Sequence, residues 1–247
     1  LRAVGLSELK EIFSQRKKMP FHLHISEQEA EVKDCLQFYK SSPVNLLMDQ
    51  VAVDENVHLV HGTHITKEEM TRIVDSGASI ILCPSTEGNL GDGTFSFREF
   101  LDMGGTWSIG SDSHVGLNPL EDLRWLDYGQ RLLHLKRDTF RKGSRGMGDE
   151  LYKQSISGGN KAAGLVGKPG FEKGMKLTGL VLNENHPLVF STGKDLLLNA
   201  LIYSCDSTVY EEVLVNGNPV IIKNFHENYE EIANNFKKTM KNLGIRL

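Results

Sequence analysis

Short apolar runs and amphipathic stretches alternate along the first 135 residues of the chain. The apolar runs predict buried strands, whereas the stretches with apolar residues three or four positions apart predict helices. Because each strand is followed by a helix, the pattern predicts a parallel sheet with helices outside it, and four such units are half of a TIM barrel. The predicted strands are 21–25, 57–60, 79–83 and 107–110, and the predicted helices are 6–18, 26–39, 66–75, 95–103 and 120–135, with a glycine-rich loop between 84 and 93.

Beyond residue 135 the pattern changes. Residues 136–150 are charged and glycine-rich, which predicts a mobile loop, and residues 151–165 predict one or two short helices. Strands are predicted at 177–182, 199–204 and 213–220, with Asn216-Gly217 as a hairpin turn, and a closing helix at 229–243. The predicted α/β fold therefore has three segments: a partial TIM barrel over 1–175, the C-terminal part of a small β domain over 176–224, and a C-terminal helix over 225–247.

Composition excludes several classes of protein. The 247 residues have a formal net charge of -4, which gives no reason to expect binding to nucleic acid or to an anionic membrane surface. No apolar stretch approaches the roughly 20 residues that a membrane span needs. Cys35, Cys83 and Cys205 are far apart and odd in number, which favours a reducing compartment over a disulfide framework. No signal peptide is visible, so we expect a cytoplasmic protein.

Polar side chains follow the predicted strands directly. His22 and His24 point to the same side of the first strand, and Glu27 comes three residues after His24. A neutral imidazole is a good zinc ligand, and a nearby carboxylate can transfer protons. The alternative is a pair of partly buried histidines that only accept or donate structural hydrogen bonds. This short motif does not decide between the two interpretations.

The ends of two further strands extend the pattern. His61 and His64 follow the second strand, and Asp112 follows the fourth. Taken singly, the histidines could brace a loop and the aspartate could cap the next helix. An aspartate at the end of an apolar strand is nevertheless costly unless it is paired or bound to a metal. Because active sites of parallel barrels lie at the carboxyl ends of the strands, the combination predicts a metal-dependent hydrolase.

The spacing of His24 and Glu27, of His61 and His64, and the pair Ser111-Asp112 resembles that of mononuclear deaminases in the amidohydrolase superfamily. Longer strings resemble the formimidoylglutamate deiminase family within it; they are Leu1 to Val4, His22 to Gln28, Cys83 to Gly93, Gly110 to Val115 and Leu123 to Leu132. The resemblance is dense from residue 1 to about 135 and thins afterwards. It implies that the four predicted strands are strands 5–8 of the family's barrel.

The resemblance implies a zinc site held in part by His24 and Asp112. Family members complete the site with an His-x-His pair at the end of the first barrel strand. Glu27 and His61, with Asp112, would be catalytic, and Arg2 matches an arginine that holds a carboxylate of the substrate. A guanidinium suits that role because it can donate two parallel hydrogen bonds to a carboxylate.

The reaction that the resemblance implies is hydrolysis of N-formimino-L-glutamate to N-formyl-L-glutamate and ammonia, a step in histidine degradation. Asp112 would take a proton from the attacking water, Glu27 would pass a proton to the imino nitrogen, and His61 would stabilise the tetrahedral intermediate. The expected partner is this small molecule, with no nucleic acid and no membrane. Family members often form dimers, so a homodimer is a further expectation.

The chain departs from the family in one respect. No His-x-His strand precedes Arg2, and His22-x-His24 belongs to the later motif because Glu27 follows it. We therefore expect a fragment or a degenerate copy, with negligible deiminase activity and poor solubility as an isolated chain. Another deaminase of the superfamily, acting on a guanine- or adenosine-type base, and a non-catalytic remnant are the alternatives. The choice between zinc and iron, and the roles of His22, His64 and His114, stay open.

Overall fold

Two units make up the chain, and each has its own sheet. The computed structural model describes residues 3–137, 139–140, 146–165 and 170–244. The first unit spans Leu1–Pro169 and the second spans Gly170–Leu247. The first sheet is parallel and the second is antiparallel, as expected for a partial barrel followed by part of a small β domain.

The first unit alternates strands and helices. Its four strands are parallel and lie side by side in chain order. The elements are α1 (Leu6–Gln15), β1 (Phe21–Ile25), α2 (Glu29–Tyr39), α3 (Pro43–Gln50), β2 (Val57–His61), α4 (Lys67–Ser76), β3 (Ser79–Leu82), α5 (Pro84–Leu90), α6 (Phe97–Asp102), β4 (Thr106–Ile109), α7 (Pro119–His134) and α8 (Met147–Ala162). The predicted strand–helix alternation is therefore confirmed in this unit.

Burial of apolar side chains on both faces stabilises the middle of this sheet. Every residue of β2 and β3 is buried, and both strands are mostly apolar. The polar side chains of His58 on β2 and Ser79 on β3 contact each other, with His58 Nδ1 2.6 Å from Ser79 Oγ. Trp107 on β4 packs edge-to-face against Phe97 of α6, with ring centroids 4.6 Å apart. The register pairs His24 with Val60 and Ile25 with His61, so the ends of β1 and β2 lie at one level.

Helix α4 has clear start and stop signals. The Thr66 hydroxyl accepts from the Glu69 amide, and the Glu69 carboxylate accepts in return from the Thr66 amide, which is a capping box. Gly77 ends the helix with a φ of 77°, as predicted from the sequence. Together the two caps set the point at which β3 begins.

The second unit is an antiparallel sheet with short helices. Its strands are adjacent in chain order, and its elements are β5 (Gly179–Leu182), α9 (Pro187–Phe190), α10 (Leu197–Tyr203), β6 (Tyr210–Val215), β7 (Asn218–Ile222), β8 (Phe225–His226) and α11 (Tyr229–Asn242). The predicted hairpin is confirmed, because Asn216 and Gly217 join β6 to β7 with φ values of 52° and 84°. Positive φ at both positions is the geometry that an Asn-Gly turn favours.

Three predicted elements are wrong. The supposed loop after β3 contains α5, because Pro84 occupies its first turn and the Glu87 amide donates to the Cys83 carbonyl. The supposed strand at 199–204 belongs to α10, since a short apolar run does not distinguish a strand from a buried helix. The predicted loop at 136–150 already enters α8 at Met147, and its residues 138 and 141–145 lie outside the described residues.

Two adjacent glycines of α8 allow a test of how closely this helix packs on β4. A Cβ at Gly158 would lie 1.7 Å from the Trp107 carbonyl oxygen, whereas a Cβ at Gly159 meets no atom within 4 Å. We expect Gly158→Ala to lower the free energy of unfolding by at least ~2 kcal/mol, because the backbone of β4 must move.

Gly159→Ala is the matched control and should raise the free energy of unfolding by about 0.5–1 kcal/mol, since alanine is the better helix former. Urea denaturation of both variants measures the difference. Equal stability of the two variants would contradict the close approach of α8 to β4.

Candidate metal centre

Two predicted ligands meet at the carboxyl ends of the outer strands. His24 lies on β1, and Asp112 follows β4. The His24 Nε2 atom is 3.3 Å from Oδ1 of Asp112. The side chain of His24 is 59% exposed and that of Asp112 is 22% exposed, so this side of the cluster is open to solvent.

His61 occupies the closed side of the same cluster. It is the last residue of β2, and its φ of 71° places it in the left-handed region. Its side chain is fully buried, and its Nε2 atom has no hydrogen-bond partner. That atom is 3.7 Å from Oε1 of Glu27 and 4.0 Å from Oδ2 of Asp112. A buried polar atom without a partner requires an explanation, and a bound ligand or ion provides one.

Glu27 is positioned by the turn that follows β1. Ser26 has a φ of 50°, and the amides of Ser26 and Glu27 both donate to the carboxylate of Glu31, at 3.1 and 3.0 Å. Because Glu31 is in the first turn of α2, the helix holds the turn in place. This arrangement fixes the backbone of Glu27 beside His61.

Glu87 is a site residue that the sequence interpretation missed. Its Oε1 atom accepts from the Cys83 amide at 2.9 Å and lies 3.3 Å from Nδ1 of His61. The available signal was its position, since it follows β3 by five residues, at the same edge of the sheet at which Glu27 follows β1 by two. The segment 84–93 is rich in small residues and was interpreted as a loop, so Glu87 was not considered as a site residue.

The carboxylates around His61 determine its electrostatics. Burial alone would lower the pKa of His61, but the hydrogen bond and charge of Glu87 outweigh it, and Glu27 and Asp112 add to them, so the pKa is raised. Burial would raise the pKa of Asp112, but the Ser113 amide and the His24 ring outweigh it and hold that pKa below its usual value. The site therefore favours a positive charge among its carboxylates.

The donor set suits a divalent transition metal. One atom each from His24, His61 and Asp112 lie within 4.8 Å of one another, among the residues that the structure describes. Two imidazole nitrogens and a carboxylate oxygen are ligands that zinc accepts. The buried Nε2 of His61, which lacks a hydrogen-bond partner, fits either a ligand of the ion or a donor to the substrate at the ion.

His22, His64 and His114, whose roles the sequence leaves open, lie outside this cluster. The Nε2 atom of His22 donates to the Ala162 carbonyl at 2.8 Å, and that of His64 donates to the Asp92 carbonyl at 2.7 Å. The Nδ1 atom of His114 accepts from the amide two residues further on, at 3.0 Å. Each of these three rings therefore has a hydrogen bond that holds local structure.

The structure brings together four of the five predicted site residues. His24, His61, Asp112 and Glu27 converge as described. Arg2, the predicted substrate ligand, lies outside the described residues.

Comparison with known proteins assigns the family. Residues 2–151 match the Amidohydrolase family, which is more than half of the chain. The chain belongs to the amidohydrolase family. The cluster at the carboxyl ends of the parallel strands therefore lies in an amidohydrolase fold, as the sequence resemblance implied.

Relatives of this amidohydrolase cover nearly all of it. The formimidoylglutamate deiminase of Pseudomonas aeruginosa is 38% identical over 98% of this chain and 54% of its own length. The crystal structure of an amidohydrolase from Brucella melitensis matches 98% of this chain and 53% of its own, with a TM-score of 0.87 and 33% identity. An adenosine deaminase from Xanthomonas campestris with bound zinc matches 97% of this chain and 55% of its own, with a TM-score of 0.80.

Two facts limit these likenesses. The adenosine deaminase is 18% identical to this chain, so it supports the fold alone. The chain spans about half the length of each of these relatives.

None of the helices in the described residues of this amidohydrolase has the length and apolar character needed to cross a membrane. Its three cysteines are buried and form no disulfide.

A buried histidine of this amidohydrolase yields a test of stability against pH. His58 is fully buried between His22 and Lys161, and its Nδ1 atom is 2.6 Å from Oγ of Ser79. Burial chiefly, together with the electrostatic influence of His22 and Lys161, lowers its pKa from 6.5 to about 4. Between these values the unfolded chain binds a proton that the folded chain does not. The contribution of the neutral His58 ring to the free energy of unfolding is therefore fully present above pH 6.5 and is lost as the pH falls toward 4.

We expect His58→Gln to flatten this dependence, because glutamine does not titrate. The free energy of unfolding of the parent protein should fall by up to ~1.4 kcal/mol more per pH unit than that of the variant across this window. Denaturation series at several pH values measure both slopes. Parallel slopes would show that His58 is not neutral in the folded protein.

Proposed function

We propose that this chain supplies one half of the active site of a formimidoylglutamate deiminase. The reaction is hydrolysis of N-formimino-L-glutamate to N-formyl-L-glutamate and ammonia, in histidine degradation. The observation that supports it most directly is the convergence of His24, His61 and Asp112, with Glu27 beside them, at one edge of a parallel sheet. The 38% identity to the Pseudomonas aeruginosa deiminase over 98% of the chain supports this substrate.

His24 and Asp112 would hold a zinc ion, with two further histidines from outside these 247 residues. When bound, zinc would lower the pKa of a water to near 7 and so supply hydroxide at neutral pH. The low pKa of the Asp112 carboxyl supports its role, because an ionised carboxylate can both bind a cation and take a proton. Because the relatives are about twice as long, we propose that the isolated chain has negligible activity.

The other side chains would divide the proton transfers between them. Asp112 would take a proton from the attacking water, and Glu27 would pass a proton to the imino nitrogen so that ammonia leaves. His61 would hydrogen-bond the oxygen of the tetrahedral intermediate through Nε2, the atom that has no partner in the structure. Its raised pKa supports this role, because a protonated imidazole donates at both nitrogens.

Arg2 would bind a carboxylate of the substrate through paired hydrogen bonds. This contact would distinguish an acidic amino-acid derivative from a neutral base. The three buried cysteines, which form no disulfide, support a cytoplasmic location, where thiols stay reduced. A homodimer is compatible with the proposal and is not needed for it.

A purine-type deaminase is the second candidate. The observation that favours it is the 27% identity of this chain, over 231 residues, to the 5-methylthioadenosine/S-adenosylhomocysteine deaminase of Pyrococcus furiosus. The same four residues would perform the same proton transfers on a ring amidine, so the cluster does not separate the two substrates. The distinction depends on the residues that hold the remainder of the substrate.

An ammonia-release assay separates the two candidates. The full-length protein that contains this chain, loaded with zinc, should release ammonia from N-formimino-L-glutamate and not from adenosine or guanine. Replacement of Arg2 by methionine should lower kcat/KM for N-formimino-L-glutamate by about 10²-fold or more, since a charged hydrogen bond contributes ~1.5–3 kcal/mol and two are lost. Turnover of adenosine alone would select the second candidate.

Metal analysis of single variants tests the assignment of roles. His24→Gln should reduce the zinc content, because the side chain is proposed as a ligand. Glu27→Gln should keep the zinc and lower kcat by about 10²–10⁴-fold, because the carboxylate only transfers a proton. Zinc per protein and steady-state rates are the two measurements.

His64→Gln is the matched control for His24→Gln, because the His64 ring donates to a backbone carbonyl outside the cluster. It should keep the full zinc content. If His24→Gln and His64→Gln retain equal zinc, His24 is not a ligand.

A further inference from the structure

Glu87 is a buried carboxylate that the proposed proton transfers do not use. It is 5% exposed, and its Oε1 atom accepts the Cys83 amide hydrogen at 2.9 Å. The same oxygen lies 3.3 Å from Nδ1 of His61, a side chain with no exposure to solvent. A buried carboxylate is tolerated where donors surround it, and these two donors satisfy that requirement.

The contact determines where His61 keeps a hydrogen. An ionised carboxylate can only accept, so the facing nitrogen must donate. Nδ1 therefore has a hydrogen whether the ring is neutral or charged. Nε2 is then the atom that faces Glu27 and Asp112, at 3.7 and 4.0 Å. A ring rotated by half a turn would present the wrong nitrogen to the site.

The first turn of α5, on which Glu87 lies, is held from the far side of the site. The Ser85 amide donates to the Asp122 carboxylate of α7 at 3.1 Å. The Thr86 hydroxyl donates to the Ser111 carbonyl at 3.0 Å, beside Asp112. Hydrogen bonds thus connect Glu87 to the segment that follows β4, while its own carboxylate contacts the end of β2. A displacement of Glu87 would require both connections to shift.

We propose that Glu87 is a positioning residue that holds the hydrogen of His61 on Nδ1 and so presents Nε2 to the metal and the substrate. The consequence for catalysis depends on the proposed function, whereas the placement of the hydrogen does not. Partners that orient a site histidine in this way typically contribute about 10–100-fold in metal affinity or activity.

Two substitutions test the oxygen of Glu87 that accepts these hydrogen bonds. Glu87→Gln keeps an oxygen that can accept from both Cys83 and His61, whereas Glu87→Ala removes it. The test uses the full-length protein that contains this chain, loaded with zinc and labelled with ¹⁵N. Two-bond ¹H–¹⁵N spectra report which ring nitrogen of His61 has a hydrogen, and His61→Gln identifies the signal.

The parent protein and Glu87→Gln should both show a protonated Nδ1 on His61. Glu87→Ala should lose this signal and show a mixture of protonation patterns. With any substrate that the parent protein turns over, Glu87→Ala should lower kcat by about 10–100-fold with little change in KM, and Glu87→Gln should recover most of the loss.

Asp122→Ala is the control for a merely structural effect, because it removes the cap of α5 without touching His61. It should lower the melting temperature and leave the His61 spectrum unchanged. An unprotonated Nδ1 in the parent protein would overturn the proposal, and this measurement needs no variant. An equal change of the spectrum in Asp122→Ala and Glu87→Ala would overturn it too.

If the parent protein has a protonated Nδ1 but does not hydrolyse N-formimino-L-glutamate, the proposed function fails and the placement of the hydrogen stands.

Discussion

The parallel register of the first sheet is the constraint on which the site depends. Because the four strands are parallel, their carboxyl ends lie along one edge, and Ile25 pairs with His61 at that edge. The chain leaves each of three strands through a residue with positive φ: Ser26, His61 and Asp112, at 50°, 71° and 46°. Such a conformation in a residue other than glycine costs of order 1–3 kcal/mol and persists where the surroundings enforce it. The geometry of the site is thus set by its exits from the strands.

Three carboxylates around the buried His61 ring determine the electrostatics of this edge. Glu27, Glu87 and Asp112 all approach the His61 ring, at 3.7, 3.3 and 4.0 Å. Three carboxylates therefore surround one ring, and like charges gathered in this way destabilise one another unless a cation lies among them. A proton on His61 reduces this repulsion in part, and a divalent ion would reduce it further. A bound metal ion would therefore contribute to folding stability as well as to the proposed reaction, because it would bind a cluster that the unfolded chain does not assemble.

Local sequence signals predicted most of this arrangement, and tertiary hydrogen bonds decided the rest. The buried strands were predictable because β2 and β3 are mostly apolar. His24, Glu27 and His61 were predictable because each lies at or just after the end of a predicted strand. Helix α5 was not, because its first turn depends on Asp122, a residue 37 positions away from its partner Ser85. Helix α10 was also missed, since its apolar run has no periodicity that separates a helix from a strand.

Solvent exposure across the cluster indicates where the remainder of the site must lie. The side chains of His61, Asp112 and His24 are 0%, 22% and 59% exposed, so the site is closed at β2 and open at β1. In the described residues, β1 and β4 each pair with one neighbour, and β1 and β4 are therefore the edges of the sheet. In the proposed function, the further ligands of His24 and Asp112 would come from a segment that packs along these edges. The relatives are about twice as long as this chain, which agrees with a cluster that is buried at His61 and exposed at His24.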